Sequence, residues 1–227
     1  MPDLFTTYPE LSDKITSLCD GRPWNVLGVS ALVSDHDALY FEITPPRPAR
    51  NGPAGDVLCG IGGIGGKIAI GETVLSCLHR EAAEEMQARI TVHTAPSTHL
   101  LFEQRLADTL RVERRDHPLP AFCTISRYRA GGRVYPDRFA VIVTFSATLV
   151  DAPERDDLFG LLRVPRAALS QVFEAPEIPL ARLERIEGVS METREPVPAN
   201  TVFFTTWTAR SFQLLLHAAL IDGAPHA

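Results

Sequence analysis

The glycine run Gly62-Gly63-Ile64-Gly65-Gly66, with the stretch that follows it, constrains this 227-residue chain more than any other feature. Glycine accepts positive φ and lets backbone approach a neighbour closely, so the run predicts a tight turn. Beyond it, Leu75, Leu78, Ala82 and Met86 repeat at helical spacing and predict an amphipathic helix starting near Gly71–Thr73. Arg80, Glu81, Glu84 and Glu85 stand on that helix. The three carboxylates fall three and four residues apart, on neighbouring parts of one face, where like charges repel by about a few tenths of a kcal/mol per pair in water. Glu85 lies near the edge of the apolar stripe, where an ionised carboxylate is costly unless a cation pairs with it. A hard divalent cation resolves that conflict, because Mg²⁺ takes oxygen ligands and keeps waters and substrate phosphates in its shell.

Gly66, Glu72, Arg80, Glu81, Glu84 and Glu85 are in register with the Nudix box, G-x5-E-x7-R-E-U-x-E-E-x-G-U, where U is a bulky apolar residue. Six such positions match by chance roughly once in 10⁵ sequences of this length. The chain therefore resembles the Nudix hydrolases over residues 62–90, and the strand order extends the likeness to about 23–172. Two departures stand out. Gln87 replaces the glycine that normally helps the helix stop, so the helix is expected to end differently or run longer, and Ile64 stands where many members have proline.

The resemblance implies an α/β fold, a Nudix-like α/β/α sandwich with a mixed sheet. The expected layout is an N-terminal extension at 1–22, the Nudix domain at 23–172 and a helical C-terminal extension packed on it at 173–227. It also implies Mg²⁺-dependent hydrolysis of the phosphoanhydride of a nucleoside diphosphate linked to another group, with Mn²⁺ as a substitute cation. Glu81 and Glu85 are then metal ligands, Glu84 shares a second ion, and the Gly65 carbonyl is a further ligand. Arg80 and Glu72 hold the ligands in place, so Arg80, Glu84 and Glu72 form the catalytic set, and Lys67 contacts substrate. Glu154, Asp156 and Asp157 are candidates for the general base, although an acidic run is more often a solvated turn.

Composition narrows the field. A net charge of −6 argues against a general nucleic-acid binder. Cys19, Cys59, Cys77 and Cys123 form no C-x-x-C pair and read as free thiols in a reducing compartment. The seven histidines show no paired spacing for zinc. The start Met1-Pro2-Asp3-Leu4 lacks a signal-peptide pattern, and no apolar run is long enough to span a bilayer, so a cytoplasmic protein is expected. The expected partner is a small nucleotide-derived substrate, without nucleic acid or membrane; a homodimer is compatible with this reading.

Strands are expected at Trp24–Val33, Ala38–Ile43, within Ile90–Phe102, at Ala121–Arg129 and at Arg138–Val150. Asp35-His36-Asp37 and Gly131-Gly132 read as turns, and Pro45–Gly55 as a loop. A short helix after Ser12 is expected, and further helices at Pro165–Phe173 and Thr205–Ile221. Gln104–Leu119 reads as a polar loop or lid, and eight arginines lie between Gln104 and Arg138, either a phosphate clamp or a solvated surface. Phe102, Phe122, Tyr128 and Tyr135 are the aromatics considered for stacking on a base. Two rival functions share the resemblance. A non-catalytic nucleotide sensor would tend to lose the carboxylates, which are intact here. An isopentenyl diphosphate isomerase would need a cysteine, glutamate and histidine set that this sequence does not offer.

Overall fold

A computed structural model describes residues 3–48, 57–113, 115–130 and 133–221. The elements run α1 (Asp3–Thr7), α2 (Pro9–Leu18), β1 (Trp24–Ser34), β2 (Ala38–Ile43), β3 (Arg47–Pro48), β4 (Val57–Gly62), β5 (Ile64–Lys67) and α3 (Val74–Met86). They continue β6 (Ile90–His93), β7 (Thr98–Phe102), β8 (Arg105–Leu110), β9 (Phe122–Ala130), β10 (Arg133–Leu149), β11 (Gly160–Pro165) and α4 (Leu169–Val172). The last are β12 (Glu177–Pro179), α5 (Leu180–Leu183), β13 (Ser190–Thr193), β14 (Thr201–Thr205) and α6 (Trp207–His217).

Among the described residues the strands form one mixed sheet, whose main path is β12-β14-β4-β2-β1-β10-β9-β7-β8. At its centre β1 runs parallel to β10 and antiparallel to β5, with Gly28–Ala31 opposite Lys67–Ile64. Both faces of the centre are covered. Along β1, Val29, Ala31 and Val33 join one apolar cluster with α1, α2 and α3, whereas Leu32 joins a second cluster with α4, α5 and α6. Period-2 alternation thus feeds two cores at once, which is why β1 reads as nearly continuous apolar sequence. The layering is the α/β sandwich expected from the mixture of strands and helices. No described helix is long and apolar enough to cross a membrane.

Of the expected α3 stripe, Leu78, Ala82 and Met86 are fully buried, and Val74 is buried with them, at about 1.5–3 kcal/mol for each large side chain. Leu75 is only partly buried. Thr73 caps the helix start. Its hydroxyl accepts the Ser76 N–H at 3.1 Å, and Ser76 Oγ accepts the Thr73 N–H at 2.9 Å. The helix stops at Met86 because Gln87 takes the left-handed conformation, with φ 49°, and its N–H bonds to Ala83 O. Gln87 therefore does the work of the absent glycine.

Several expectations need correction. Within Gln104–Leu119, residues Arg105–Leu110 form β8, an edge strand paired with β7 rather than a loop or lid. Strand β10 starts at Arg133 and passes Pro136 with a register shift between Tyr135 and Phe139, so the proline is absorbed by an irregularity in the pairing. The Pro165–Phe173 helix is a 3₁₀ turn followed by the four-residue α4, and α6 ends at His217. Residues after 172 contribute strands as well as helices: β14 pairs parallel with β4, and β12 pairs with β14. Helix appears before Ser12 as well as after it, in α1 and the first part of α2. The Gly131-Gly132 turn, Arg114 and residues 49–56 of the expected loop lie outside the described residues.

Candidate active site

The β4–β5 glycines and α3 face each other, and that contact builds the site. Gly65 sits at φ +144°, and a Cβ there would come within 2.2 Å of the Val29 carbonyl. Its N–H instead donates to Glu85 Oε2 at 2.9 Å. A Cβ on Gly66 would lie 2.1 Å from Glu81 Oε1, so the space left by the missing side chain is where the Glu81 carboxylate rests. The Gly65 N–H is thus tied to the Glu85 carboxylate.

Arg80 organises most of the acidic face. Its Nε and Nη2 donate to the two oxygens of Glu72 at 2.8 and 3.1 Å. Nη1 lies 2.9 Å from Glu81 Oε1 and 2.8 Å from Glu84 Oε2. Nη2 also donates to the Lys67 carbonyl at 3.4 Å, and Lys67 is otherwise exposed. The guanidinium hydrogen bonds, and after them the Ala69 N–H, hold Glu72 down at a pKa of about 2. Arg80 itself is held more firmly protonated by Glu72.

Glu85 is the carboxylate that Arg80 does not reach. Burial pushes its pKa up to about 8, and the charge of Glu42 adds to this, against the opposing effect of the Gly65 hydrogen bond. Glu42, on β2, is itself raised by burial and then by Glu81. The structure therefore adds to the motif a residue that the sequence reading missed. Its signal was an acid inside the apolar strand Ala38-Leu39-Tyr40-Phe41-Glu42-Ile43.

Glu42 also borders a cleft of about 750 Å³, well within the range of small-molecule sites. Its other walls include Thr44 and Arg47, Thr124, Ser126 and Arg129 from β9, and Phe204–Trp207 and Arg210 from the β14–α6 junction. Gly62 and Gly63 let these walls meet: a Cβ on Gly62 would lie 2.9 Å from Glu42 Oε2, and one on Gly63 2.5 Å from Thr208 Cγ2.

Other predicted residues are placed differently. The backbone N–H groups of Glu154, Asp156 and Asp157 donate to the carbonyls of Met86, Glu85 and Glu84. They satisfy the C-terminal end of α3, while their side chains are exposed. Among the described arginines of this segment Arg129 alone borders the cleft, and Arg115 pairs with Glu10 and covers the Tyr8 ring. Phe122 is fully buried, Phe102 packs on Phe139 with centroids 5.3 Å apart, and Tyr128 meets Tyr135 at 5.6 Å. None of these four aromatics borders the cleft.

The donor set fits Mg²⁺. Among the described residues no three His, Cys, Asp or Glu side chains already surround one point. Mg²⁺, however, is commonly held by one or two carboxylates, with waters and substrate phosphates completing the shell. Glu85 and Glu81, beside Glu42, supply such a partial shell of oxygen donors.

No family model matches the chain, and no curated protein matches it. Among solved structures, the chain is similar to a NUDIX-family hydrolase from Clostridium perfringens at 14% identity, over 66% of this chain and 85% of that one, with a TM-score of 0.38. It is also similar to a mutator MutT protein from Bacillus halodurans at 19% identity, over 68% and 74%, with a TM-score of 0.36. A NUDIX hydrolase from Nitrosomonas europaea gives 14% identity over 58% and 65%, with a TM-score of 0.33.

Proposed function

We propose that this protein is a Mg²⁺-dependent hydrolase of the phosphoanhydride in a nucleoside diphosphate linked to another group. One observation carries the reading: Glu85 is a half-buried carboxylate that no cationic side chain among the described residues pairs with, facing Glu42 and Glu81, while Arg80 is committed to Glu72, Glu81 and Glu84. Such a site is unfavourable when ionised and becomes favourable when a divalent cation enters. The six box positions in register support the same reaction.

In this reading Glu81 and Glu85 hold the metal and Glu84 shares a second ion. A bound Mg²⁺ would neutralise charge developing on the phosphates and acidify a coordinated water. Arg80 fixes the rotamers of Glu81 and Glu84, and Glu72 fixes Arg80, an outer-sphere arrangement that keeps the ligands in position. Lys67, exposed at the end of β5, offers a cation to the outer phosphate oxygens. Residues 23–172 form the catalytic unit, the flanking segments complete its walls, and the four free thiols suit a reducing, cytoplasmic setting.

The test is a panel of nucleotide-sugars, ADP-ribose, dinucleoside polyphosphates, NADH, coenzyme A and (d)NTPs with Mg²⁺ or Mn²⁺. At least one compound should turn over, and Glu85→Gln should lower the rate about 10²-fold or more, comparable to losing a key charge-stabilising group. Full activity in Glu85→Gln would overturn the metal assignment. Tight metal-free binding of one compound without turnover would favour the nucleotide-sensor alternative.

A further inference from the structure

We propose that the cleft beside the carboxylates is the pocket for the planar nucleobase of the substrate, with Trp207 as its stacking platform. The assignment deepens the hydrolase reading and rests on it for the position of the diphosphate near Glu42. Four features converge. Trp207, the first residue of α6, borders the cleft and remains 47% exposed, an uncommon state for so large an apolar side chain. Its backbone is held at φ +30°, a conformation that non-glycine residues rarely adopt and that is concentrated at functional sites. The opposite character is supplied by Ser126, a residue that lines the cleft and whose hydroxyl, buried just behind that wall, has no hydrogen-bond partner. A polar edge of a ligand would satisfy it. Phe204, also on the wall, already has the Arg47 guanidinium 5.0 Å over its ring, so this wall accepts a flat, delocalised group.

The charge pattern orients the ligand. The N-terminus of α6 lines the cleft without a side-chain cap at Thr206, and Arg47, Arg129 and Arg210 stand on the same walls. Hydrogen-bond acceptors are favoured there, and the carbonyl and ring-nitrogen edge of a base supplies them. Glu42 lies on the side toward Glu81 and Glu85, where a cation is needed to accept phosphate. A nucleotide can span this arrangement with its base against Trp207 and its phosphates toward the carboxylates. The pocket depends on the parallel pairing of β14 with β4, which carries residues 204–211 to the site.

Calorimetric titration with AMP, GMP, CMP and UMP, against ribose 5-phosphate, isolates the base, because these compounds differ only in carrying it and contain no anhydride to cut. At least one monophosphate should bind about 10-fold or more tightly than ribose 5-phosphate. Trp207→Ala should weaken that binding roughly 5- to 150-fold, and Trp207→Phe should keep most of it. The proposal is overturned if no monophosphate exceeds ribose 5-phosphate, or if Trp207→Ala leaves the dissociation constant unchanged. Either result leaves the turnover panel to judge hydrolysis separately. Base-dependent binding in a protein that turns over nothing would instead uphold the pocket and sink the hydrolase reading.

Discussion

Arg80 and Glu42 show how single side chains set the chemistry. Arg80 grips Glu72 through two nitrogens and reaches Glu81 and Glu84 through a third. Lysine cannot reproduce that fork, since its ammonium is a point charge. Arg80→Lys should therefore lower turnover about 10- to 100-fold while leaving the fold intact. In Arg80→Ala, the Glu72 carboxyl should titrate well above its present value of about 2, as read by ¹³C NMR. Glu42 acts by repulsion. Its charge is the second cause of the high Glu85 pKa, after burial, so Glu42→Gln should bring the Glu85 titration down from about 8. An unchanged Glu85 titration would show that the two carboxylates do not sense each other. The box residues were legible in the sequence because their spacing is local, with every member on one turn or one helix. Glu42, Ser126 and Trp207 were not, because only the pairing of distant strands brings them to one cleft.

At the scale of elements, the sequence was clearest where burial is regular. The α3 stripe, β1, β2 and the core of β9 and β10 carry enough apolar periodicity to declare themselves. Strand β8 was hidden because it is an edge strand whose first three residues are exposed, leaving no alternation to read. The strands after residue 172 are short and bordered by prolines, a pattern that also suits loops. The end of α3 is a different case: departure from the motif changed the residue but not the geometry. Gln87 at φ 49° bears a left-handed conformation that costs an L-residue roughly 1–2 kcal/mol, and glycine would escape that cost while giving up about 0.5–1 kcal/mol of chain entropy. Gln87→Gly should therefore raise stability by about 0.5–1 kcal/mol, measured by urea denaturation, with the helix ending at the same residue. A loss of stability would mean that the Gln87 side chain makes a contact worth more than the strain.

For the whole molecule, the crowded carboxylates should couple stability to pH and, under the proposed metal reading, to a divalent cation. In the metal-free protein the folded pKa of Glu85 is about 8, above the ordinary carboxyl value of 4.5, and Glu42 is raised in the same direction. The folded state then binds more protons than the unfolded state between those limits. Stability is fully present below about 4.5, where both states are protonated, and is lost as pH rises toward 8. Glu72 works the other way: its contribution is fully present above 4.5 and is lost as pH falls toward 2, so it is constant across this window. Thermal melts of metal-free protein should show Tm falling from pH 5 to pH 8. Adding Mg²⁺ or Mn²⁺ should restore more stability at pH 8 than at pH 5, because the cation binds the ionised carboxylates and competes with their protons. Glu85→Gln removes the titrating group. That variant should show a flatter Tm profile across the window and a smaller response to metal, even if its metal-free Tm at pH 8 exceeds that of the parent. A Tm that rises with pH in the metal-free parent, or a metal response equal at both pH values, would mean that Glu85 is not the carboxylate awaiting a cation.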